Sequence, residues 1–75
     1  MNWFIKVPQI NGRIDWYSIV KLLEFMGNVE YHPGEKTNSG LIIYPHLKFD
    51  DEHDALAFSL KSGSTISTHV PTNNS

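Results

Sequence analysis

An α+β sandwich is the fold class that the sequence predicts, with four strands and two helices in the order strand, helix, strand, strand, helix, strand. Three observations lead to it. The stretch Ile14 to Gly27 (IDWYSIVKLLEFMG) repeats apolar residues at helical spacing between a start and a stop signal. A second, shorter helical stretch runs from Phe49 to Gly63. The segments around them alternate apolar and polar residues, as strands with one buried face do. The chain has 75 residues, which is enough for one domain and one modest core. Six Lys/Arg against eight Asp/Glu give a net charge of −2, which does not suit a protein that must neutralise a long run of phosphates. With no cysteine, disulfides, thiolate metal sites and Cys nucleophiles are all excluded. The apolar runs are too short for a membrane span, and the first residues lack the order of a signal peptide, so a soluble, cytoplasmic protein is expected.

Asn2 to Val7 (NWFIKV) alternates Trp3, Ile5 and Val7 with Asn2, Phe4 and Lys6, and Pro8 ends this first strand. Gln9 to Arg13, with its Asn11-Gly12 pair, reads as a turn into the first helix. There Asp15 is placed to accept from the free N–H groups of the first turn, and Ile14 and Ile19 are spaced as a hydrophobic staple. Trp16, Ile19, Val20, Leu23 and Met26 form a stripe that Leu22 and Phe25 widen, so seven large apolar side chains are expected to reach the core. Gly27 is expected to close the helix in the left-handed conformation.

Asn28 to His32 forms the second strand, with Val29 and Tyr31 inward and Asn28, Glu30 and His32 outward. Pro33-Gly34 and the polar run to Gly40 make a hairpin loop. Leu41 to Leu47 returns as the third strand, with Leu41, Ile43 and Leu47 inward and Ile42, Tyr44 and His46 outward. Pro45 has no ladder donor and marks a break or a bulge. In the second helix Asp50 or Asp51 is the cap, acidic residues crowd the first turn, and Ala55, Leu56, Ala57, Phe58 and Leu60 provide an apolar patch. Ser64 to Val70 is the last strand, with Ile66, Thr68 and Val70 inward and Thr65, Ser67 and His69 outward. Pro71 stops it. Residues 1–70 then make a single domain, and residues 71–75 are expected to be a disordered polar tail.

Two right-handed split β-α-β units in this order give a ferredoxin-like sandwich, with an antiparallel sheet of order 4-1-3-2, both helices on one face and the other face open. The strand parity puts Phe4, Lys6, Ile42, Tyr44 and His46 on that open face, flanked by His32 and Glu30 at one edge and His69 at the other. Phe4, Lys6, His32, Ile42, Tyr44, His46 and His69 are therefore the candidate partner-binding surface, because clustered exposed aromatic and aliphatic side chains on a small protein mark contact surfaces. Cross-strand pairing within an open sheet, or cover by the C-terminal tail or a dimer partner, explains the same pattern.

Trp3-Phe4-Ile5-Lys6-Val7, Gly27-Asn28-Val29 and Phe49 followed by Asp-Asp-Glu-His-Asp-Ala55 give the chain a resemblance to the RNA recognition motif family, in element order and in residues spread over most of its length. The first of these stands where the family has its short motif, with Phe4 in the place of its base-stacking aromatic. Counting back from Phe49 places Tyr44 and His46 where the family stacks further bases. The longer motif's glycine and leading Lys/Arg have no counterpart here. The resemblance implies a single-stranded RNA or DNA binder that uses the open face. Lys6, Arg13, Lys36 and Lys48 are the cations available to it, fewer than a tight single-strand binder uses.

No catalytic or metal constellation emerges. His53 among Asp50, Asp51, Glu52 and Asp54 is the composition of a helix's first turn, and His32 and His46 lack a third ligand for zinc. Ser62, Ser64 and Ser67 near His69 form no nucleophile motif, and the glycines form no phosphate loop. No cofactor is expected. The first functional expectation is thus a non-catalytic regulatory or inhibitory protein that docks a protein partner with the open face. By analogy, compact proteins of phages and mobile elements that block host factors have this character. A nucleic-acid binder comes second and a homodimer burying the same face third. With His32, His46 and His69 on one face, binding is expected to respond to pH between about 5.5 and 7.5.

Overall fold

The computed structural model describes residues 1–24 and 26–73. In chain order its elements are β1 (Trp3–Lys6), β2 (Gln9–Ile10), β3 (Arg13–Ile14), α1 (Trp16–Leu23), β4 (Val29–His32), β5 (Glu35–Lys36), β6 (Ile42–Ile43), β7 (His46–Phe49), α2 (Glu52–Ser62), β8 (Ile66–Ser67) and β9 (Thr72–Asn73). Four of these strands form the main sheet, in the spatial order β4-β7-β1-β8, with every neighbouring pair antiparallel. Strand alternation sends Ile5, Leu47 and Phe49 to one side, where Ile19 of α1 and Ala55 and Phe58 of α2 close over them. The protein is a small single-domain α+β structure with one core, and its second sheet face is left to side chains of opposite parity.

The first helix starts where the sequence puts it. Asp15 is the N-cap and accepts from the Ser18 backbone N–H at 3.2 Å and from the Ser18 hydroxyl at 2.8 Å. Its end does not follow the expectation. The helix stops at Leu23 with Glu24 as a right-handed C-cap, and Gly27 lies beyond it in another role, donating its N–H to the Asp54 carboxylate at 3.0 Å. The stripe is narrower too. Ile19 is buried and Leu22, Leu23 and Met26 pack beside it, but Val20 is 62% exposed and Trp16 44%. Eight helical residues turn only one narrow arc to the sheet, and Trp16 falls on the flank, edge-on to Tyr31 of the outermost strand. Phe25, expected in the stripe, lies outside the described residues.

The Asn11-Gly12 pair forms the tip of a hairpin between β2 and β3, both residues having positive φ (53° and 77°), the geometry of a two-residue turn that matches strand twist. The expected single strand Leu41 to Leu47 is divided at Pro45. Ile42–Ile43 belongs to a separate three-stranded sheet between β5 and β9, and only His46–Phe49 joins the main sheet. Phe49 consequently ends a strand rather than beginning α2, whose cap is Asp51, with Gly63 in the left-handed conformation at its other end. The last strand is cut from the expected Ser64–Val70 to Ile66–Ser67. Residues 71–75, expected to trail away, contain β9, which pairs Thr72 with Ile43 and Asn73 with Ile42. Asn74 and Ser75 lie outside the described residues.

Candidate functional site

On the open side of the main sheet the register brings two rows of side chains together. Lys6 and His32 both lie opposite His46, and Phe4 and Glu30 both lie opposite Lys48. In the first row the imidazoles of His32 and His46 stack, with centroids 4.9 Å apart and planes 10° from parallel, and Phe4 meets His46 edge-on at 5.7 Å. His46 is the one polar side chain of the described core, only 4% exposed. Its Nδ1 faces the Tyr44 carbonyl at 2.8 Å, so it donates there, and among the described residues no buried side-chain nitrogen or oxygen is left without a partner. His32 is exposed, and its Nδ1 accepts from the Gly34 N–H at 3.0 Å. The two histidines are thus fixed by the two backbone segments that flank them.

The charges of the face are engaged. Lys48 reaches Glu30 at 3.4 Å, and Lys6 places its ammonium 4.0 Å from the centre of the Tyr44 ring. Between these groups lies a shallow recess of about 350 Å³ lined by Asn2, Phe4, Glu30, Tyr31, His32, His46, Lys48 and Val70.

Of the seven residues expected on this surface, Phe4, His32 and His46 come together in the recess. Lys6 and Tyr44 pair beside one another. Tyr44 reaches this place from the link between β6 and β7, not from a strand, with its N–H donating to the Pro71 carbonyl at 2.9 Å. Ile42 is a correction, since it sits half-buried in the separate sheet, opposite Lys36 and Asn73. His69 is another, since it lies past the end of β8 with its N–H on the Ser67 hydroxyl, and Val70 rather than His69 lines the recess. Both follow from one physical fact, that the strands are shorter than their alternating sequences. Sequence parity missed Lys48 as a member of this face, and extending the third strand through Phe49 would have found it.

Among the described residues no three His, Cys, Asp or Glu side chains converge as a metal site would require, and no helix is long and apolar enough to cross a membrane. Comparison of the chain with protein-family models, curated proteins and solved structures returns no match.

Proposed function

We propose that the protein is a small non-catalytic regulatory or inhibitory protein that docks a partner protein with the open face of its main sheet. The observation that carries this reading is the disposition of charge. Lys48 is bound to Glu30 and Lys6 lies over Tyr44, which leaves Phe4 and the His32–His46 stack at the centre of a near-neutral recess. Protein interfaces deplete charge and enrich aromatic side chains at their centres, and a few anchors seated there carry most of the binding energy. An inhibitor of a host factor, from a phage or mobile element and acting in the cytoplasm, is the form of this function that a small cysteine-free domain fits.

A ferredoxin-like assignment is part of the same proposal. Counting only β1, β4, β7 and β8, the spatial order is second, third, first, fourth, which read from the other edge is 4-1-3-2, and a helix follows the first and third of them. The two additional small sheets lie outside that scheme. The second functional reading, a single-strand binder like the RNA recognition motif, is favoured by Phe4, whose half-buried ring stands on the first strand of the sheet. Such binding needs cations free to follow a backbone and ring faces free to stack. Both central lysines have partners, and Tyr44 carries an ammonium group on its ring.

The test compares wild type with Phe4→Ala in two assays, anisotropy titration with single-stranded RNA and DNA at low and high salt, and capture of partners on immobilised protein. The expected result is a protein partner retained at high salt and lost in the variant. Oligonucleotide binding that falls steeply with salt and disappears in Phe4→Ala would move the face to the second reading. Self-association abolished by Phe4→Asp would bury the face on itself and remove both.

A further inference from the structure

β4 is an edge strand, and the direction of its unpaired backbone groups can be derived. The Val7 N–H donates to the Pro45 carbonyl at 2.9 Å, which makes Val7 and Pro45 a hydrogen-bonded pair continuing the β1–β7 register. Bonded and unbonded pairs alternate along an antiparallel ladder. Leu47 and Phe49 therefore direct their backbone groups at β1, and His46 and Lys48 direct theirs at β4. Opposite the latter stand His32 and Glu30, so Val29 and Tyr31 turn their N–H and C=O groups outward. Among the described residues no strand pairs with this side. Beside it, on the helix side of the sheet, Tyr31 is 41% exposed and edge-on to Trp16 at 4.8 Å.

We propose that two copies of the chain associate through this edge, β4 antiparallel to β4, with Tyr31 opposite the partner's Tyr31 on the two-fold axis. Any extended segment could satisfy the backbone groups, but the sequence Glu30-Tyr31-His32 is its own complement. With Tyr31 on the axis, Glu30 lies opposite the partner's His32 and His32 opposite the partner's Glu30, both on the open side. Sliding the register by one pair would set Glu30 against the partner's Glu30, and like charges directly opposite oppose pairing. The hydrogen-bond phase agrees with this choice. Tyr31 exchanges both backbone bonds across the axis, and the Val29 N–H is opposite the partner's Pro33 carbonyl. Pro33 has no N–H, so the ladder ends there.

Side-chain chemistry completes the match. Because His32 Nδ1 accepts from Gly34, the ring proton is on Nε2, the atom free to donate to the partner's Glu30. Glu30 gives Lys48 one carboxylate oxygen, Oε2, and keeps Oε1 to accept. On the helix side the two Trp16–Tyr31 pairs meet across the axis and cover each other's exposed rings. The pairing is isologous and uses up the edge, so it closes at a dimer. It leaves the open faces of both copies free, side by side on one continuous sheet.

Sedimentation equilibrium over a concentration series tests this, with circular dichroism to confirm folding of each variant. Wild type is expected to dimerise reversibly, and Tyr31→Lys, which sets two ammonium groups against each other on the axis, to remain monomeric. Glu30→Lys alone and His32→Glu alone should each self-associate about tenfold more weakly than wild type, while an equal mixture of the two recovers a heterodimer because every facing pair is again complementary. The mixture keeps the test decisive even if Tyr31→Lys fails to fold. A wild type that stays monomeric throughout, a dimer that survives Tyr31→Lys, or single variants that self-associate as strongly as the mixture would each overturn the proposal.

Discussion

His32 and His46 stack 4.9 Å apart, yet their Nδ1 atoms play opposite parts. The Tyr44 carbonyl can only accept, so His46 carries a proton on Nδ1; the Gly34 N–H can only donate, so His32 does not. At a pH where both rings are neutral they are expected to be opposite tautomers, His46 protonated at Nδ1 and His32 at Nε2. Long-range proton–nitrogen correlation spectra distinguish the two forms directly. A His32 spectrum of the Nδ1-protonated type would mean that the Gly34 bond is not formed in solution.

Gly34, which supplies that bond, is held by more than the turn it follows. Its φ is 82°, and a Cβ placed on it would come 2.5 Å from the Ile43 carbonyl oxygen and 2.9 Å from the Pro45 nitrogen. Those are backbone atoms of the link on which His46 depends, so they cannot move aside cheaply. Gly34→Ala is expected to cost at least about 1–2 kcal/mol from its conformation alone, and more from the contact. Urea denaturation should record it as a lowered midpoint. Gly40→Ala has a similar φ of 92° with open space around it, and should therefore cost less. Equal losses in the two variants would show that the Ile43 and Pro45 contacts play no part.

These contacts mark the boundary of what the sequence discloses. The cap at Asp15, the end of the second helix at Gly63 and the inward parity of Ile5 and Leu47 were legible because each depends on a few neighbouring residues. Parity put His32 and His46 on one face, but their stacking depends on the register that sets them opposite one another, and alternation leaves several registers open. The fates of Ile42, Tyr44 and His69 were not legible. Each depends on where a strand stops, and that is decided by pairing between segments remote in sequence, such as Thr72 with Ile43. Alternation alone carries no mark of its own end, and Pro45 announced a break without saying that the two halves would join different sheets.

Phe58 and Leu60 belong to one helix and look alike as apolar residues in the sequence, but the structure separates them. Phe58 is fully buried and packs its ring 5.7 Å from that of Phe49, whereas Leu60 is 83% exposed. Phe58→Ala is expected to cost about 3–5 kcal/mol, a loss large enough to unfold much of a domain this small. Leu60→Ala should stay within about 0.5 kcal/mol of wild type. Thermal unfolding of both variants checks the assignment. A large loss in Leu60→Ala would place that side chain in an interface that exists in solution.

Asp15 gives the fold one identifiable sensitivity to acid. The Ser18 hydroxyl and then the Ser18 backbone N–H donate to its carboxylate and hold its pKa below the usual carboxylate value. A folded-state pKa below the unfolded one contributes stability that is fully present above the unfolded value, about 3.9, and is lost as the pH falls through the lower folded value. Asp15→Asn keeps an acceptor at the cap but removes the charge. The melting temperature of wild type should therefore exceed that of Asp15→Asn at neutral pH, and the two should converge as acid protonates the carboxylate. Measuring the difference between the two proteins cancels the titration of the remaining carboxylates, which both share. A gap that persists unchanged through the acid range would show that shape rather than charge makes Asp15 the better cap, and that the Ser18 bonds survive protonation.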